Sequence, residues 1–160
     1  MKRRITKIKY KPGDFVTINW TAGEKHEDEY SIKCRDVPRG EFIRAMSELN
    51  RHVVEMCELP DSALYRVQTR SVSLNYGGEN DTLGATISAQ MDLLKSNQPL
   101  NINTPNKTVE PYCEGTPWDE KICLTEECTD AIYELIEEAK LYIDGTRAQG
   151  SLFEAEKKTA

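Results

Sequence analysis

Leu83, Ala85, Ile87, Ala89, Met91 and Leu93 alternate strictly with Gly84, Thr86, Ser88, Gln90 and Asp92. A period of two places every apolar side chain of such a run on one face of a β-strand and leaves the other face polar. Strands of this kind belong to antiparallel sheets with one face on a core and the other in water. The remaining chain must therefore supply further strands and a cover for the apolar face.

Both are legible. Thr6, Ile8 and Tyr10 alternate with basic residues, and Lys11-Pro12-Gly13-Asp14 reads as a turn. Val16, Ile18 and Trp20 share one face, Ala22-Gly23-Glu24-Lys25 turns the chain again, and Tyr30, Ile32 and Cys34 complete a third strand. After Pro38, the residues Phe42, Ala45, Met46, Leu49, Val53, Met56 and Cys57 recur at helical spacing, and Pro60 ends the helix. Tyr65 and Val67 stand in one phase while Val72, Leu74 and Tyr76 stand in the other, which predicts a β-bulge near residues 69–71. Gly77-Gly78-Glu79-Asn80-Asp81 is a hairpin loop, and Leu100 and Ile102 indicate one more short strand.

A last helix is expected over residues 126–144. Thr125 is its N-cap, and Cys128, Ala131, Ile132, Leu135, Ile136, Ala139, Tyr142 and Ile143 form its apolar stripe. Gly145 is its stop. The expectation is an α+β fold, an antiparallel sheet of about five or six strands with two packed helices in the order βββ-α-βββ-α. That order is compatible with duplication of a three-strand-plus-helix unit, although no repeat is visible residue by residue. Residues 1–145 are expected to form one domain and residues 146–160 a flexible tail. Residues 104–123 carry Pro105, Pro111, Gly115 and Pro117 and read as a long loop without regular structure. Tyr112 and Trp118 within it either pin the loop to the core or anchor a partner.

Composition narrows the functional classes. The chain has 160 residues and a formal net charge of -6, which suits one domain. No run approaches the roughly 20 apolar residues of a bilayer span. Met1-Lys2-Arg3-Arg4 is followed by Ile5-Thr6-Lys7, not by the apolar run of a secretory leader. A soluble, cytoplasmic protein is expected. An odd set of cysteines without tight spacing is no disulfide framework, and Cys34, Cys57 and Cys128 fall on apolar faces as reduced core residues.

His26 and His52 read as surface residues outside any triad. Cys113, Cys123 and Cys128 lack the paired spacing of a zinc site. Gly77-Gly78 opens a hairpin and not a phosphate-binding helix. Neither metal nor cofactor is expected, and a binding protein is the better class than an enzyme built on scattered carboxylates.

Charge is segregated along the chain. Lys2, Arg3, Arg4, Lys7, Lys9 and Lys11 make one end basic, and Glu126, Glu127, Asp130, Glu134, Glu137 and Glu138 make the last helix acidic. Two solvated faces are one reading. The other makes Lys7, Lys9 and Lys11 contacts for nucleic acid or an acidic partner, and Glu127, Asp130, Glu134, Glu137 and Glu138 contacts for a basic one.

Beyond the last helix stands Gln149-Gly150-Ser151-Leu152-Phe153. It resembles the short peptide with which bacterial replication and repair proteins dock on the DNA sliding clamp: Gln, a variable or Leu position, Ser or Asp, then Leu-Phe. The resemblance implies that Leu152 and Phe153 fill an apolar depression, that Gln149 satisfies polar groups at its rim, and that Ser151 occupies the small polar position. Gly150 departs from the commonest form, which has Leu there.

Pro38-Arg39-Gly40-Glu41-Phe42, Asn101-Ile102-Asn103-Thr104-Pro105-Asn106-Lys107 and Tyr142-Ile143-Asp144-Gly145-Thr146-Arg147-Ala148-Gln149 also resemble blocks in a family of small phage and prophage proteins of gut Firmicutes. That resemblance implies a phage origin and no catalytic residues. Two roles follow as expectations. One is a non-catalytic protein that docks on the host clamp and modulates DNA transactions. The alternative is an anti-defence (anti-CRISPR) protein whose body inhibits a DNA-targeting CRISPR nuclease such as Cas9.

Overall fold

A computed structural model describes residues 3–25, 28–78, 80–111 and 115–148. The first three strands are β1 (Arg4–Tyr10), β2 (Val16–Ala22) and β3 (Asp28–Cys34), followed by helix α1 (Gly40–Met56). A 3-10 turn (Asp61–Arg66) leads to β4 (Val67–Gly77), β5 (Thr82–Met91), β6 (Leu100–Asn103) and the short β7 (Lys107–Thr108), and helix α2 (Glu126–Ile143) closes the order. This is the expected α+β arrangement.

All strand pairs are antiparallel, and the sheet order is β3-β2-β1-β4-β5-β6 with β7 pairing β5 beside β6. Two three-stranded meanders thus lie side by side, joined by β1 against β4. α1 packs chiefly on β4 of the second meander, whereas α2 contacts β1 of the first, and the two helices pack on each other. Each half is therefore covered by the helix that follows the other half. The helices and the sheet enclose one core that includes Ile5, Ile8, Ile18, Phe42, Leu49, Val72, Ile87 and Leu135. Phe42 stands at its centre, edge-on to Tyr10 at 6.1 Å and tilted against Tyr142 at 6.0 Å.

Local chemistry explains the boundaries. Thr125 Oγ1 accepts the Cys128 amide at 3.2 Å, as an N-cap should. Gly145 ends α2 at φ +109°, a conformation that favours glycine. Leu83, Ala85, Ile87, Ala89 and Met91 are all buried, and Leu93 lies beyond the end of β5 and is exposed. The register of β4 on β5 shifts between Thr69 and Ser71, where the change of phase predicts it.

Two local readings differ from the structure. In β1 the register on β2 shifts between Ile5 and Lys7, so Ile5 pairs with Trp20 and Lys7 with Asn19. Thr6 is the extra residue, and Ile5 takes the place in the core that alternation assigned to Thr6. The described residues of the segment 104–123 are also less irregular than expected. Thr104 exchanges hydrogen bonds with the Ile87 backbone at 2.9 Å, Lys107 and Thr108 form β7, and Thr108 bridges Cys123. Lys107 Nζ donates to the Glu120 carbonyl at 2.6 Å, and Trp118 Nε1 to the Leu124 carbonyl at 3.3 Å. Trp118 remains 54% exposed, so it closes the loop by its ring nitrogen without entering the core. No helix among the described residues is long and apolar enough to cross a membrane.

Candidate interaction surfaces

Residues 146–148, expected in the tail, are fastened to the domain. The Ala148 amide donates to the Val37 carbonyl at 2.9 Å, and the Thr146 amide to Leu141 at 2.9 Å. Arg147 lies over the Tyr142 ring, 3.6 Å from its centroid, and its Nη1 donates to the Tyr142 carbonyl at 2.5 Å. Its Nε reaches Asp36 at 3.3 Å. The Tyr142 hydroxyl donates to the Asp36 carbonyl at 2.7 Å, and burial pushes its pKa up. The ordered body thus runs to at least Ala148. Gln149, Ser151, Leu152 and Phe153 lie outside the described residues.

The acidic helix divides in two. Glu127, Asp130, Glu134 and Glu137 are exposed on its outer face. Glu127 is shared with Arg51 at 3.0 Å and Glu137 with Lys140 at 3.5 Å, whereas Asp130 and Glu134 have no ion pair among the described residues. Glu138 does not belong with them. It is three residues after Leu135 and four before Tyr142, so helical periodicity turns it inward. It is buried and meets Arg39 in a two-point ion pair. The expected partner-facing carboxylate is an internal clamp between the entry of α1 and the middle of α2.

Lys7 and Lys9 stand on the face of the sheet opposite the helices. Register places Lys9 between Thr17 and Ser71, and Lys7 between Asn19 and Ser73. Extended across the strands, one row reads Lys33, Thr17, Lys9, Ser71, Ser88, Asn103 and the next Ser31, Asn19, Lys7, Ser73, Thr86. Neither row contains a carboxylate. The hydroxyls and amides bind one another, Ser31 to Asn19 at 2.8 Å and Ser88 to Asn103 at 2.6 Å. Lys11 is exposed in the turn that ends β1. At the same end, Lys33 and Arg35 both lie over the Phe15 ring, at 4.6 and 4.4 Å from its centroid. The basic and acidic faces thus lie on opposite sides of the molecule.

His52 overturns its reading as a surface residue. It is 2% exposed, and its Nε2 is buried without a hydrogen-bond partner. Position 52 follows Leu49 by three residues on the apolar stripe of α1, a signal already present in the spacing. Burial holds its pKa below the ordinary imidazole value. Arg51 adds to that shift, and Glu55, Glu127 and Glu48 oppose it.

The ring borders a cleft of about 460 Å³ between the end of α1 and the start of α2, lined also by Cys123, Cys128 and Lys107. Cys128 is buried and its thiol pKa is pushed up to about 12, chiefly by burial, so it stays a protonated thiol at neutral pH. Cys34 and Cys57 are half-buried, Cys123 is buried, and His26 and Cys113 lie outside the described residues. Among the described residues no group of three His, Cys, Asp or Glu side chains is placed to hold a metal ion.

What the arrangement offers is contact chemistry on separate faces: a lysine-bearing polar sheet, a carboxylate-bearing helix and a fastened segment that reaches Ala148. No family model, no curated protein and no solved structure matches the chain.

Proposed function

We propose that this is a non-catalytic binding protein that docks on a bacterial DNA sliding clamp through residues 149–153 and modulates DNA transactions there. The observation that carries the reading is the fastening of Arg147 and Ala148 to Tyr142, Asp36 and Val37. Gln149, the first residue of the clamp-like peptide, follows directly on Ala148. A short linear peptide that starts at a fixed point on a folded body tethers that body close to whatever the peptide binds. Leu152 and Phe153 supply the apolar anchor that such docking needs.

The test is capture of purified clamp by the full chain, by a chain ended after Ala148, and by the full chain with a competing synthetic peptide spanning residues 149–153. Capture by the full chain alone, reversed by the peptide, is the expected result. Equal capture by the chain ended after Ala148 rejects the proposal.

One observation favours a second reading, in which the body inhibits a DNA-targeting nuclease. Asp130 and Glu134 are exposed carboxylates without a cation of their own among the described residues, a pattern suited to a basic DNA channel. Under this reading excess protein suppresses cleavage, and charge reversal at Asp130 and Glu134 restores it. Undiminished cleavage in excess protein rejects it.

A further inference from the structure

β3 differs from the other long strands in having no buried residue. Asp28, Glu29, Tyr30, Ser31 and Lys33 are exposed, and Ile32 and Cys34 are half-buried. Its inner edge is fully paired, from Asp28 opposite Ala22 to Cys34 opposite Val16, without a bulge. Among the described residues no strand pairs its outer edge. Such an edge presents a row of backbone donors and acceptors ready for another strand. It carries no proline to blunt it.

The side chains say which strand fits. Glu29 and Lys33 are opposite Thr21 and Thr17 and so lie on the open face, whereas Tyr30 and Ile32 are opposite Trp20 and Ile18 on the helix side. Rotation of β3 about a two-fold axis through Ser31 sets Glu29 of one copy against Lys33 of the other, twice, and Tyr30 against Ile32, twice. All seven residues of the strand then pair, Asp28 meeting Cys34 at each end. Opposite charges and aromatic–aliphatic pairs are both favourable directly across an antiparallel ladder. Tyr30, 46% exposed and stacked on Trp20 at 5.8 Å, gains cover from the facing Ile32. A strand whose charges and apolar groups complement themselves under a two-fold operation has the property of an isologous contact.

We infer that the outer edge of β3 pairs with β3 of a second copy of this chain, joining two sheets into one continuous sheet. The contact is a single strand wide, narrower than a tight obligate interface, so a weak, concentration-dependent dimer is expected.

The test is sedimentation equilibrium at concentrations up to about 0.5 mM, which populates even weak dimers. The weight-average mass of the wild-type chain is expected to rise with concentration from the monomer mass toward twice that mass. Glu29→Lys puts lysine against lysine and Lys33→Glu puts glutamate against glutamate, so each variant alone is expected to be monomeric. An equimolar mixture restores both opposite-charge pairs and is expected to return to the wild-type mass at the same total concentration, which also shows that both variants are folded. A monomeric wild type, two dimeric single variants, or a mixture that stays monomeric each overturns the inference. A chain ended after Ala148 keeps the dimer; if it dimerises while the full chain does not, residues 149–160 occupy the edge instead and the inference fails.

Discussion

Arg39 and Glu138 are joined at two points, Nε to Oε1 at 2.7 Å and Nη2 to Oε2 at 2.6 Å, although 99 residues separate them. The guanidinium is partly exposed and the carboxylate is buried beneath it. Planar two-point pairing is the strong form of a charged hydrogen bond, and it fixes direction as well as distance. It ties the residue that precedes α1 to the middle of α2, so the two helices are held where they cover the sheet. Glu138→Gln keeps the shape and removes the charge. The expected result is a melting temperature lower by about 3 °C. Arg39→Ala combined with Glu138→Gln is expected to lose little more than Arg39→Ala alone, because the costly event is leaving the buried carboxylate unpaired. Full additivity in the double variant would show that the two residues do not act as a pair.

His52 predicts an acid-sensitive stability. Its folded pKa lies below the value of about 6.5 that it regains on unfolding. The unfolded chain therefore binds more protons in the window that extends downward from about pH 6.5, and stability falls as pH falls through it. One such group contributes a slope of at most about 1.4 kcal/mol per pH unit. The check is urea unfolding of the wild type and of His52→Gln between pH 7.5 and 5. A shallower slope in the variant is expected, and parallel curves would dismiss the imidazole as the source.

Gly84 faces the Asn75 side chain across the strands. A Cβ there would run into the Asn75 amide, which donates to Asn106 Oδ1 at 2.8 Å. Gly84→Ala must displace that amide and lose the bond, a loss of about 1 kcal/mol. In an Asn75→Gly background the same substitution meets no obstacle and is expected to stabilise slightly, by roughly 0.5–1 kcal/mol, and thermal unfolding of all three variants measures the difference.

Thiol labelling reads the core directly. Cys128 is buried with its pKa pushed up to about 12, and Cys123 is 1% exposed. Neither is expected to react with iodoacetamide at pH 8 in the folded protein, and both are expected to react in denaturant. Peptide mass spectrometry separates the sites. Rapid labelling of Cys128 in the native chain would contradict the packing of α2 on α1.

The framework was readable wherever one local rule acted alone. β5 follows from its alternation, α2 from its stripe and the Thr125 cap, and the bulge at 69–71 from the change of phase. What the local pattern does not convey are features whose reason lies in a distant element. Thr6 loses its place to Ile5 at the register shift of β1 on β2. Glu138 and His52 sit on apolar stripes, but a charged or titratable residue there reads as an exception until its surroundings are known. Arg39 explains the first, and the unpartnered Nε2 of the second is visible only in space. Residues 146–148 looked free because they follow a glycine stop, yet the Tyr142 ring and the Val37 carbonyl capture them. On the surfaces, Lys7 and Lys9 do share one open face, whereas the acidic set loses Glu138 to the interior.

Titration of a purified bacterial sliding clamp with the full chain and with the Leu152→Ala, Phe153→Ala variant tests the central claim most directly. Both side chains lie outside the described residues, and equal melting temperatures of the two proteins serve as the control that the fold is unchanged. The predicted result is micromolar binding by the wild type and at least tenfold weaker binding by the variant, a loss of at least about 1.4 kcal/mol. Equal affinities would contradict the account.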